Sequence, residues 1–179
     1  MDIIPAASPG ELILLEAPRT ALKQALLPLV ARLAPGSALR ILDCGNCFNV
    51  YVVARELRRH TTGVQEALER IHVSRAFTCY QAAALLAETT AEMLSGTLPT
   101  IVLDLLSTFA DENVGEAERR RLLAGCVHHL LRLKHGAAVT VSVSLHSVLD
   151  ASWLVGLEEA ADRIWRLEPE LLPLPPRLL

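Results

Sequence analysis

Short apolar runs alternate along this chain with longer segments whose apolar residues recur at helical spacing. Residues 11–15 (ELILL) form the first run, and residues 21–33 follow with a helical pattern that contains Pro28. Pro35-Gly36-Ser37 is a clear break. Residues 40–42 resume an apolar run that stops at Asp43-Cys44-Gly45-Asn46. Residues 50–59 and 64–69 read as helices, 71–77 as a strand, and the Ala/Leu-rich stretch 80–94 as another helix. Residues 100–106 (TIVLDLL) have the character of a buried strand with one carboxylate inside it. Residues 116–134 predict a long amphipathic helix stopped by Gly136. The β-branched run 137–145 and the segment 162–167 predict the last two strands.

Strands that alternate with helices imply βαβ units and a mostly parallel sheet. Ligands on such sheets bind beyond the carboxyl ends of the strands. The informative residues are therefore those that follow each apolar run: 16–24, 43–48, 78–79, 104–108 and 144–146. There is no internal repeat. The pattern predicts a single core domain over residues 1–168, with 169–179 as a Pro/Leu-rich tail.

Composition narrows this picture. Hydrophobic residues make up 51% of the chain and aromatic ones only 4%, so the core must be built from Leu, Ala and Val. Mean hydropathy is high, at +0.34. It is spread over short runs, however, none near the roughly 20 apolar residues of a spanning helix. The first ten residues lack the basic start and apolar stretch of a secretory signal, which predicts a cytoplasmic protein. A net charge of −3 carries no electrostatic footprint for nucleic acid or an acidic membrane. Four cysteines, Cys44, Cys47, Cys79 and Cys126, are expected as thiols in a chain with no secretory signal.

The order and character of these segments resemble the ATPase core of the RecA/RadA recombinase superfamily over nearly the whole chain. Residues 71–86 (IHVSRAFTCYQAAALL) are the most specific stretch, with Arg75-Ala76-Phe77 and Gln81 at its centre. Residues 100–106 look like the family's Walker B strand, with Asp104 at the acidic position. Residues 118–133, 139–144 and 160–167 are similar to the helix and strands that follow it. The resemblance implies a RecA-like, P-loop-type three-layer α/β sandwich with a mostly parallel central sheet.

The same comparison exposes what is missing. A P-loop reads G-x-x-x-x-G-K-[ST], with glycines that let amides wrap phosphate, a lysine for charge and a hydroxyl for Mg²⁺. The matching segment here is Ala17-Pro18-Arg19-Thr20-Ala21-Leu22-Lys23-Gln24. Lys23 is kept, Ala17 and Leu22 replace the glycines, and Gln24 replaces the hydroxyl. The family's D-[TS]-E-G-[TS]-F becomes Asp43-Cys44-Gly45-Asn46-Cys47-Phe48, so Gly45 stands where a glutamate would orient water. Ser144 stands where a glutamine commonly senses phosphate. The two segments that match DNA-binding loops, 107–115 and 146–152, carry almost no basic residues. The run Arg119-Arg120-Arg121 is expected as a solvated face paired with Glu116 and Glu118.

These departures imply a non-catalytic accessory module that binds proteins, either a second copy of itself or a RecA-family ATPase, in a setting such as recombination and repair. Cell-division inhibitors that resemble RecA without a P-loop widen the choice of partner. No strong direct nucleic-acid binding, no membrane and no cofactor are expected. The alternative is a residual nucleotide binder or weak ATPase that holds ATP and Mg²⁺ through Lys23, Asp43 and Asp104. A third reading makes Cys44, Cys47 and Cys79 a thiol cluster for metal, with His146 as a distant fourth ligand.

Overall fold

The computed structural model describes residues 6–92, 98–144 and 149–167. Six strands form one all-parallel sheet: β1 (Leu12–Glu16), β2 (Leu39–Asp43), β3 (Ile71–Arg75), β4 (Thr100–Leu103), β5 (Val139–Val143) and β6 (Arg163–Arg166). Their order across the sheet is β3-β2-β4-β5-β1-β6. The helices are α1 (Arg19–Leu33), α2 (Val50–Leu57), α3 (Val64–Glu69), α4 (Cys79–Glu92), α5 (Glu116–Lys134) and α6 (Val155–Ala160).

Side-chain alternation along the strands sorts the core into two layers. Leu12, Leu14, Leu42 and Val102 face α4, α5 and α6. Leu15, Leu39, Ile41, Ile101 and Leu103 face α1, α2 and α3. Both faces of the sheet are covered, which is why the inner strands are buried along nearly their whole length. The protein is thus a three-layer α/β domain.

Local chemistry sets the helix starts. Asn49 caps α2, its side-chain oxygen accepting from the amides of Tyr51 and Val52. Ahead of α4, Thr78 Oγ1 accepts from the Gln81 amide while the Gln81 side chain accepts from the Phe77 amide. This reciprocal pair resembles a capping box. Helix α5 has Glu116 and Glu118 in its first turn and Arg132 and Lys134 in its last, as the helix dipole favours.

The observed elements follow the expected alternation, with several differences in their bounds, β3 ending at Arg75 and β5 spanning only Val139–Val143. Helix α1 starts at Arg19, two residues before the apolar pattern, because Pro18 suits the position before a helix. As expected, it runs through Pro28 to Leu33. Strand β4 stops at Leu103 instead of Leu106, because Asp104 turns into the left-handed region and Leu105–Phe109 forms a 3-10 turn. The short helix α6 fills a stretch for which the pattern predicted nothing. The expected tail, 169–179, lies outside the described residues.

Edge strand β6 is latched by charge. Asp162 accepts from the Leu12 amide at 2.8 Å and from Lys134 Nζ at 3.0 Å. Arg163 pairs with Glu11, and Arg166 with Glu16 and Glu158. The Leu12 amide, then Lys134, holds the Asp162 carboxyl below its ordinary 3.8, and Arg163 first holds Glu11 below 4.5. Both folded values are depressed, so this stabilisation is complete above the ordinary carboxylate range and is lost as pH falls through the lowered folded values. Asp162→Ala is expected to lose about 1 kcal/mol at pH 7, solvent screening at this partly exposed site limiting the cost. Urea melts should also show a shallower fall in stability between pH 5 and pH 3 for the variant than for the parent chain.

Candidate functional site

The carboxyl ends of β1, β2, β4 and β5 converge on Asp104. Its side chain is fully buried, and its backbone φ of 53° is unusual for a residue with a Cβ. Oδ1 accepts from the Ser144 amide at 2.9 Å and from Ser144 Oγ at 2.7 Å. The Asp104 amide donates to Ser142 Oγ, which donates to the Val102 carbonyl. These bonds close the ends of β4 and β5 against each other. Oδ2 has no hydrogen-bond partner and lies 3.9 Å from Arg19 Nε.

Arg19 enters from the first turn of α1 and also donates through Nη2 to the Gly45 carbonyl. Its guanidinium thereby joins the β1–α1 corner to the β2 loop across the top of β4. The corner itself is only Ala17-Pro18, since β1 ends at Glu16 and α1 begins at Arg19. Gly45 lies directly on Asp104: a Cβ at position 45 would fall 2.5 Å from the Asp104 Cβ and 2.9 Å from Oδ2. The room a larger side chain at 45 would need is therefore already taken by Asp104.

Asp43 organises the β2 loop from inside. Oδ1 accepts from the Cys47 amide at 2.7 Å, and Oδ2 from the Phe48 amide at 3.1 Å and Arg75 Nε at 3.2 Å. Arg75 also donates to the Phe48 carbonyl, which ties β3 to the same loop. The amides of Cys44 and Gly45 donate to the Leu103 carbonyl, so the loop folds over the end of β4.

Lys23 is exposed on α1 and lines a groove of about 720 Å³ between α1 and α2, together with Asn46, Cys47 and Phe48. The seam beneath it, between Leu22, Leu26, Leu27, Cys47 and Leu103, has no room for a water molecule. Asp43 ends β2 and Asp104 follows the neighbouring β4, while Lys23 lines both the groove and, with Cys47, Leu103 and Ser142, the seam beneath it. Cys44 packs in the α4–α5 layer and Cys47 in the α1–α2 layer. Among the described residues no three His, Cys, Asp or Glu side chains form a group that could hold a metal ion. His146 lies outside the described residues. Burial raises the thiols of Cys44, Cys47 and Cys79, with Asp104 adding to the effect at Cys47, so all three carry their protons at neutral pH.

Arg19 is the site residue that spacing did not single out. Its signal is positional: a cation three residues past a buried strand reaches the strand ends. Arg119 departs from the expected solvated face. Arg120 and Arg121 pair with Glu116 and Glu118 as expected, but Arg119 is buried, donates to the Phe109 carbonyl and packs with Arg120 against Trp153. No protein-family model matches this chain, and no curated protein matches it.

The contact between Gly45 and Asp104 is testable. Gly45→Ala is expected to cost about 1–3 kcal/mol through overpacking. Asp104→Gly removes the opposing Cβ and suits the left-handed backbone. The pair Gly45→Ala with Asp104→Gly should therefore be more stable than the two single losses sum to, a coupling that a double-mutant cycle in urea measures.

Proposed function

We propose that this chain is a non-catalytic, RecA-like protein-interaction module. The observation that carries the reading is the guanidinium of Arg19, which lies on Asp104 and Gly45 at the carboxyl end of the sheet. In a parallel α/β sheet that is where a ligand's charged groups sit. Here the chain's own cation faces the buried carboxylate, and the two-residue β1–α1 corner leaves no loop to wrap a phosphate. The positions compared with the recombinases also fall at one end of one sheet: Asp43 ends β2, Asp104 follows β4 and Ser144 follows β5.

A surface for a partner is available on the other side of the same loops. Val50, Tyr51, Val73, Phe77 and Tyr80 are exposed, Tyr51 at 83% and Phe77 at 67%. They belong to the start of α2, to β3 and to the start of α4, beside the terminal strand of the sheet. Exposed aromatic side chains grouped this way are what a protein interface uses.

Thermal melts with and without MgATP test the reading. A nucleotide bound at 100 times its Kd adds about 2.7 kcal/mol, which a melt resolves easily. The expected result is no shift at millimolar MgATP in either the parent chain or Lys23→Ala. A shift that disappears in Lys23→Ala would overturn the module reading in favour of a nucleotide-binding one. A photocrosslinker in place of Phe77 is expected to give a defined protein adduct in cell extract. The same group in place of Val155, exposed on α6, should give none; equal labelling at both positions would remove the partner surface from the β3 side.

A further inference from the structure

The groove between α1 and α2 combines an apolar floor with a basic rim. Leu27, Pro28, Phe48 and Val52 supply the apolar surface. Lys23, Arg55 and Arg59 supply positive charge, against Glu56 alone. Glu56 is already engaged, 2.9 Å from Arg59 and 3.7 Å from Arg55, so one carboxylate serves two guanidiniums and Lys23 adds a third cation. Both arginine side chains remain 67% exposed. The groove's volume of about 720 Å³ lies within the range that takes a compact ligand or a few side chains.

The helix wall adds a polar feature. Pro28 has no amide to offer the Gln24 carbonyl one turn earlier, and both residues line the groove. A backbone acceptor thus lacks its usual helical donor on the wall that also carries Lys23. The groove offers cations on the rim and an apolar base.

We propose that this groove is a docking site for a short acidic segment of a partner protein, with a leucine-sized side chain seated on Leu27 and Val52 and carboxylates against Lys23, Arg55 and Arg59. The inference rests on the module reading above and names the partner's chemistry. Charge complementarity selects the occupant: a basic segment would meet three cations, and a purely apolar one would leave the rim unanswered.

The probe is a fluorescein-labelled dodecapeptide of alternating Glu and Leu, with a Lys/Leu peptide of the same length as its control. Fluorescence anisotropy with the full chain is expected to show binding of the Glu peptide only, weakening as salt rises. Lys23→Glu and Arg55→Glu, both on exposed side chains, should each weaken it about tenfold with unchanged melting temperature. Equal binding of both peptides, or no effect of either charge reversal, would overturn the proposal. Benzoylphenylalanine in place of Val52 fixes the occupant: an adduct with the Glu peptide supports it, and an adduct only within the chain or with a second copy overturns it. The two readings fail separately. MgATP stabilisation alongside intact peptide binding sinks the module reading and spares the groove, whereas silence to MgATP without peptide binding does the reverse.

Discussion

A buried carboxylate at the top of the sheet is the constraint on which this structure turns. Asp104 is fully buried, and a charge in that position persists only when hydrogen bonds and a cation answer it. Ser144 answers one oxygen and Arg19 faces the other. Because those partners come from β5 and α1, and because Gly45 from the β2 loop packs on the same side chain, one residue aligns four segments that are distant in sequence. The left-handed backbone at Asp104 has the same origin: it swings the carboxylate back over the strand ends and turns the chain into the buried 3-10 segment.

Around that point the loops are held from within. Asp43 does for the β2 loop what Asp104 does for the sheet top, engaging two amides and Arg75. Polar groups that in another sheet of this type would face a ligand are here directed at each other. The exposed aromatics near β3 and the basic groove between α1 and α2 lie on the flanks of these loops.

The layered fold was legible in the chain because two periodicities are written cleanly in it. Helices α3 and α5 fall on the residues their apolar spacing predicts, β1 stands out as an apolar run, and β5 as a β-branched one. What periodicity cannot carry is a reversal of backbone hand. The run 100–106 is apolar on both sides of Asp104, so nothing in its hydrophobicity marks the turn that ends β4. The candidate acids Asp43 and Asp104 were legible as residues closing buried strands, but their partners were not. Arg19 and Arg119 look like ordinary surface arginines in the sequence, and only the three-dimensional approach of Asp104 to one and Trp153 to the other distinguishes them. Helix α6 (VGLEEA) was not predicted: it opens with Val155 and Gly156, both poor helix formers.

The two borders of the sheet are unequally defended. Arginines on β6 are tied to carboxylates of β1 and α6, a charged edge of the kind that resists further strand pairing, while β3 ends the sheet among exposed apolar side chains. Two copies meeting through β3 would use up each other's β3 border, an isologous contact that closes on itself as a two-fold pair.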